Sequence, residues 1–172
     1  MIRNVTPQDF PAILALNAES VHFLSPLDAP RLQHLHAHAA YHRVAEREGS
    51  VVEREGSVAA FLLAFREGAD YDSPNYRWFA QRYPRFLYID RIVVAPAARG
   101  LRFGALLYDD ILAFAAATNA ERLTAEFDLE PANPVSAAFH RRYRFHEVGT
   151  QWIGGGKKQV SLQMRPVAGG VT

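Results

Sequence analysis

The stretch Arg91-Ile92-Val93-Val94-Ala95-Pro96-Ala97-Ala98-Arg99-Gly100-Leu101-Arg102-Phe103-Gly104-Ala105-Leu106-Leu107 decides the fold. Its apolar start, part of Phe86 to Val94, reads as a buried strand that Pro96 ends. Gly100 marks a turn. The segment from Gly104 to Thr118 then reads as a helix with Leu106, Leu107, Ile111, Leu112 and Phe114 turned inward. The first N–H groups of a helix have no intrahelical acceptor, and the helix dipole adds partial positive charge at that end. Arg99 and Arg102 add formal charge, so a phosphate-bearing ligand is the physical expectation. The stretch is not a P-loop, because no Gly-Lys-Ser/Thr follows, and it lacks the three-glycine spacing of a dinucleotide fingerprint.

Upstream, Ile2 to Val5 forms a short apolar stretch. Thr6-Pro7-Gln8-Asp9 then supplies a cap, a proline at the first helical position and an acidic first turn. Asp28-Ala29-Pro30 looks like a second helix start, running to about Ala40. His42 to Val44 and Ser50 to Glu53 read as strand pieces. Glu46-Arg47-Glu48-Gly49-Ser50-Val51 recurs as Glu53-Arg54-Glu55-Gly56-Ser57-Val58, a local duplication in a hairpin rather than a repeat architecture. Val58 to Phe65 is almost wholly apolar and is expected to be buried on both faces. The aromatic-rich connection Glu67 to Arg85 reads either as a binding loop or as a short amphipathic helix over Asn75 to Arg82. Downstream come a strand from Arg122 to Leu129 and a helix from Pro134 to Tyr143. A hairpin follows, Phe145 to Ile153 and Gln159 to Met164, across Gly154-Gly155-Gly156.

These elements predict an α/β (α+β) fold, a mixed, mostly antiparallel sheet of six to seven strands with helices on both faces. The 172 residues favour one domain over 1–166, with 167–172 as a loose tail. With 49% hydrophobic and 22% charged residues the chain has a globular composition, and disorder is not expected. The net charge of +1 gives no bulk electrostatic case for nucleic acid or a membrane surface as partner. The absence of cysteine removes disulfides, thiolate nucleophiles and zinc–thiolate sites. No apolar run is long enough for a membrane span, and the N-terminus has no apolar signal core. A cytoplasmic location is the default expectation.

Asn133-Pro134-Val135-Ser136-Ala137-Ala138-Phe139-His140-Arg141-Arg142-Tyr143-Arg144-Phe145-His146-Glu147-Val148-Gly149 is the second informative segment. Together the two segments resemble the GNAT N-acetyltransferase superfamily. Its phosphate loop reads Q/R-x-x-G-x-G/A after a strand ending V-x-P. Its later segment reads N-P-x-A-x-x-F-Y-x-x-x-G-F-x-E-V-G. Val94, Pro96, Arg99, Gly104 and Ala105 fit the first; Asn133, Pro134, Phe139, Phe145, Glu147, Val148 and Gly149 fit the second. Arg102 stands where the family has its first glycine, His140 where many members have tyrosine, and Arg144 where they have the glycine of the helix end.

The resemblance implies acetyl-CoA as donor and a primary amine of a small molecule or peptide as acceptor, by direct attack. Arg99, Gly100, Leu101, Arg102, Phe103, Gly104 and Ala105 would take the diphosphate. Ile92, Val93 and Val94 would take the amide-bearing arm like an added strand. Asn133, Ser136 and Phe139 would line the cofactor further, although Asn133 also suits a plain helix cap. His140 and Tyr143 are the candidate acids, with packing as the alternative for each. Asp90 and Glu126, carboxylates in predicted sheet strands, are the candidate bases, since a buried carboxylate needs a partner or a task; a salt bridge or a water relay is the alternative. Glu67, Asp70 and Asp72 offer acid beside aromatics for a cationic acceptor. His34, His38 and His42 share a helix face at zinc-like spacing, but no further ligand accompanies them and no metal is expected. A homodimer through the final strands or the histidine-bearing helix is compatible with the sequence. The alternative function is a non-catalytic CoA-binding regulatory module on the same fold.

Overall fold

The computed structural model describes residues 1–20, 24–47 and 57–167. The described residues form β1 (Ile2–Asn4), α1 (Phe10–Ala18), α2 (Ala29–His38), β2 (Tyr41–Arg47), β3 (Ser57–Arg66), α3 (Pro74–Ala80) and β4 (Leu87–Val94). They continue with α4 (Phe103–Ala117), β5 (Arg122–Glu130), α5 (Pro134–Arg142), β6 (His146–Ile153) and β7 (Lys158–Pro166). The strands make one seven-stranded sheet in the order β1-β2-β3-β4-β5-β7-β6. β1/β2, β2/β3, β5/β7 and β6/β7 pair antiparallel, and β4/β5 pair parallel. This is the mixed, mostly antiparallel sheet that the element order predicts. None of the described helices is long and apolar enough to cross a membrane.

The chain divides into two compact units. The first comprises Met1–Ala64 and Arg91–Ile111. Here the Thr6-Pro7 signal opens a 3₁₀ turn, Pro7–Asp9, and α1 follows from Phe10. The Asp9 carboxylate accepts from the Thr6 N–H at 2.7 Å and from Arg3 at 2.8 Å. The Arg3 hydrogen bond is the main reason that its pKa is pulled down to about 2. Asp28 caps α2 by accepting from the Arg31 N–H at 2.8 Å. The core joins Val5, Ile13, Leu16, Leu32, Val44, Phe61 and Val93. Buried Arg91 donates to the Asn17 Oδ1 at 2.8 Å, which compensates a charge that would otherwise be costly to enclose.

α2 stops at His38, because Ala39 turns extended at ψ 135°. His34 and His38 therefore share a helix face, their rings 4.6 Å apart, while His42 lies on β2. The expected three-histidine helix face does not form. His42 instead places Nδ1 2.9 Å from the Nδ1 of His36, and its buried Nε2 has no partner. Burial, with His36 next, pushes the His42 pKa down to about 3. The folded chain thus holds His42 neutral, whereas an unfolded histidine takes a proton near 6.5. Stability is complete above about 6.5 and is lost as the pH falls toward 3. His42→Gln is expected to flatten this acid limb, moving the acid-unfolding midpoint to lower pH, as followed by circular dichroism.

The second unit comprises Phe65–Asp90 and Leu112–Thr172. The aromatic connection carries the short helix α3, with Ser73 as cap and Pro74 in its first turn. Phe79 and Tyr76 are buried in an aromatic cluster in which the Tyr76 and Tyr88 rings lie 5.7 Å apart. Glycine is required at Gly149, where a Cβ would stand 2.6 Å from the Trp78 ring. β3, all but its last two residues in the first unit, is buried along most of its length, as its apolar run predicts.

Two expectations need correction. Leu106 is 48% exposed and Tyr108 is buried in its place, because the inward stripe of α4 runs through Leu107, Tyr108, Ile111 and Ala115. Val167 is not loose: it is buried and its N–H donates to the Glu121 carbonyl at 3.0 Å. The strand piece Ser50 to Glu53 and most of the duplication lie outside the described residues, as does the tail beyond Val167.

Candidate active site

In the first unit, β4 ends with Ile92 and Val94 half-buried and Arg91 and Val93 buried, the alternation of a strand with one accessible face. The Ala95 N–H donates to the Ala59 carbonyl at 2.8 Å and anchors the strand end. A 3₁₀ turn, Pro96–Ala98, follows. Gly100 and Arg102 then take left-handed backbone angles, φ 78° and 66°, and α4 begins. Among the described residues, the N–H groups of Arg102, Phe103 and Gly104 have no protein acceptor. Arg99 and Arg102 are exposed beside them. Bare amides, a helix dipole and two guanidinium groups form a donor set that fits a diphosphate.

Arg102 thus adopts the conformation that a glycine provides without strain. Arg144, after α5, does the same at φ 60°, its N–H donating to the Arg141 carbonyl at 2.9 Å. The chain keeps both glycine-type turns and carries the side-chain strain, on the order of 1 kcal/mol each. Arg102→Gly and Arg144→Gly are each expected to stabilise the fold by about 1 kcal/mol in urea unfolding.

In the second unit, the parallel ladder of β4 and β5 consists of Leu87↔Leu123 and Tyr88↔Thr124. Ile89–Asp90 and Ala125–Glu126 lie beyond this ladder. The Glu126 Oε1 accepts from Asn75 Nδ2 and from the Tyr88 hydroxyl, each at 2.9 Å. Its Oε2 is buried with no hydrogen-bond partner. Burial raises the Glu126 pKa to about 8, against the lowering effect of the Tyr88 and Asn75 hydrogen bonds; the Asp90 and Asp128 charges add to the rise. Asp90, half-buried, accepts a hydrogen bond from the Tyr71 hydroxyl. Tyr88 is fully enclosed and its pKa is driven up, first by burial and then by Glu126.

On α5, Asn133 is the helix cap, accepting from the Ser136 N–H at 3.1 Å. His140 is buried, with its ring near those of Phe127, Phe139 and Phe145. Its Nδ1 lies 2.8 Å from the Ser136 carbonyl, which can only accept, so Nδ1 carries the proton. Burial also lowers its pKa. A neutral ring with its N–H committed to the backbone is poorly suited to deliver a proton. Tyr143 is half-buried and packs on Phe139, ring centroids 5.0 Å apart. Glu67 is committed to Arg66 at 2.7 Å and to the Phe86 N–H at 3.0 Å, so it is structural rather than part of an acceptor surface.

The structure therefore brings Glu126 together with Tyr88, Asn75 and Asp90, and groups Ser136, Phe139 and His140 on α5. The sequence reading did not find Tyr71, Asn75 or Tyr88 as partners of the carboxylates, nor Gln151, which donates to the Asn75 Oδ1 at 2.5 Å. Tyr88 and Asp90 stand two apart on β4 and so share a strand face; nothing in the sequence tied Asn75 or Gln151 to Glu126.

The model of the acetyltransferase (GNAT) family matches residues 13–145. A search of curated protein sequences found no match. Among solved structures, the ribosomal-protein-S18-alanine N-acetyltransferase of Escherichia coli is similar at a TM-score of 0.70 and 13% identity, over 97% of this chain and 93% of that one. Chaetomium thermophilum Naa20, in complex with a bisubstrate analogue, is similar at 0.73 and 19% identity, over 99% and 88%. A GNAT superfamily phosphinothricin acetyltransferase of Sinorhizobium meliloti, in complex with AcCoA, is similar at 0.70 and 20% identity, over 99% and 90%. At these identities the structures share the fold.

Proposed function

Because the chain belongs to the acetyltransferase (GNAT) family, we propose that it transfers an acetyl group from acetyl-CoA to a primary amine of a small molecule or peptide, with Glu126 as the base. When bound, acetyl-CoA supplies an activated thioester carbonyl and a thiolate leaving group. The amides of Arg102 to Gly104, with Arg99 and Arg102, are assigned to its diphosphate, and Ile92 to Val94 to its amide-bearing arm. The Val94 N–H is the proposed donor to the carbonyl oxygen. Asn133, Ser136 and Phe139 are assigned to further contacts with the cofactor, and His140 to packing beside them.

The observation that carries the reading is the phosphate-loop turn, kept in its glycine conformation although Arg102 has replaced the glycine. The choice of Glu126 over Asp90 rests on the unpartnered Oε2, an atom available for a proton. Asp90 acts in this reading through its charge, which helps raise the Glu126 pKa. The rate should then climb with pH through about 8 as Glu126 ionises. The test mixes protein, acetyl-CoA and a panel of amino acid, polyamine, aminoglycoside and N-terminal peptide amines, and counts free thiol. Amine-dependent thiol release supports the enzyme. Saturable CoA binding with no release across the panel supports the regulatory module. A cytoplasmic location is part of the same proposal.

A further inference from the structure

We infer that Asn75, held by Gln151, is a positioning residue that sets the proton affinity of Glu126 and leaves Oε2 as the oxygen that takes the proton. The inference deepens the reading of Glu126 as base and rests on it for its catalytic meaning. Asn75 lies in the first turn of α3 and is 6% exposed. Its amide bridges two strands, donating to Glu126 on β5 and accepting from Gln151 on β6. A carboxylate oxygen can only accept, so Nδ2 must face Glu126. Oδ1 then faces the other way, and only a donor can satisfy it there. Gln151 presents its Nε2 at 2.5 Å.

The polarity of the chain from Gln151 through Asn75 to Glu126 is thus fixed at one end by Oε1, which only accepts, both in the carboxylate and in the acid protonated on Oε2. Both donors to the carboxylate, Asn75 and Tyr88, converge on Oε1. They stabilise negative charge on that oxygen and leave the lone pairs of Oε2 unclaimed. The other groups facing Glu126 are Asp90 on β4 and Asp128 on β5, whose charges oppose ionisation.

If Gln151 loses its donor, the Asn75 amide is free to turn. Oδ1 then meets Oε1, which is repulsive to a carboxylate but can accept from a carboxylic acid. The protonated form gains and the anion loses. Gln151→Glu forces this arrangement with almost no change in shape and adds a charge; Gln151→Met removes the donor without adding charge.

The test is titration of the Glu126 carboxyl in the free protein by carbon NMR with labelled glutamate, the resonance being assigned by its loss in Glu126→Gln. The midpoint is expected to rise by about one pH unit or more in Gln151→Glu and by about half a unit in Gln151→Met. An unmoved midpoint in Gln151→Met overturns the inference, because charge alone would then account for the glutamate variant. Asn75→Ala should also raise the midpoint, since the carboxylate loses a donor. The pH profile of kcat/KM is recorded alongside. A midpoint that moves while the profile stays fixed supports the positioning role and removes Glu126 as base, so the two readings fail separately.

Discussion

Glu126→Gln is expected to lower kcat/KM for acetyl transfer by about a hundred- to a thousandfold near pH 8, in the range of a lost general base. It should also abolish the rise in rate through that pH, since the rise reports the ionisation of this carboxyl. Glutamine matches the protonated acid in shape. Its carbonyl can still accept from Asn75 and Tyr88, so the variant should fold. Stability is expected to move opposite to activity. An ordinary glutamate gives up its proton near 4.5, and Glu126 in the fold keeps it to about 8. Folding therefore takes up a proton between those values. The contribution of the carboxyl to stability is complete below 4.5 and is lost as the pH rises through 8. The variant is free of that loss. It should match the wild type near pH 4.5 and exceed it by up to about 5 kcal/mol above pH 8, measured by urea unfolding at several pH values. A slow variant with no pH-dependent gain would place Glu126 outside the buried setting described above. A stabilised variant with unchanged kcat/KM would remove it as the base.

That opposition of stability and rate follows from where the carboxylate sits, and the sequence shows only part of it. The strand–loop–helix around Pro96 is legible because its signals are local: an apolar run, a proline, a glycine and a helical apolar stripe. Glu126 is legible as a carboxylate in a strand, which asks for a reason. Its partners are not. Asn75 is separated from it by 51 positions and Gln151 from Asn75 by 76, and no periodicity links residues so far apart. α3 is too short for its periodicity to outweigh a loop reading, although the Ser73-Pro74 start is a fair local signal. The histidine spacing misled for the opposite reason. A pattern of fours continues from His34 to His42, but the backbone leaves the helix at Ala39, and sequence spacing carries no mark of that turn. The missing loop glycine is a third kind of case. The sequence shows that Arg102 departs from the family pattern; only the backbone angle shows that the departure is absorbed as strain and the turn is kept.

Arg102→Asp separates the charge of that residue from its conformation. Aspartate tolerates left-handed backbone angles better than most side chains, so the turn should survive. A carboxylate one residue ahead of α4 lies at the positive end of the helix dipole and beside the unclaimed amides of Phe103 and Gly104. The fold should therefore lose no stability, and a gain of up to about 1 kcal/mol is expected. Coenzyme A meets the reverse. One positive charge is gone, one negative charge has appeared, and that carboxylate competes for the same amides. At several ångströms in a partly solvated site this costs roughly 2–3 kcal/mol, a loss of about thirty- to a hundred-and-fiftyfold in affinity at low salt, shrinking as salt is raised. Arg102→Gly, which removes one charge and relieves the strain, should lose about tenfold or less. Calorimetric titration of coenzyme A into the three proteins at two ionic strengths reads this order directly. Equal affinity in all three would show that the diphosphate is held elsewhere. A loss in Arg102→Gly as large as in Arg102→Asp would mean that the guanidinium, rather than the backbone amides, is the principal holder of the phosphates.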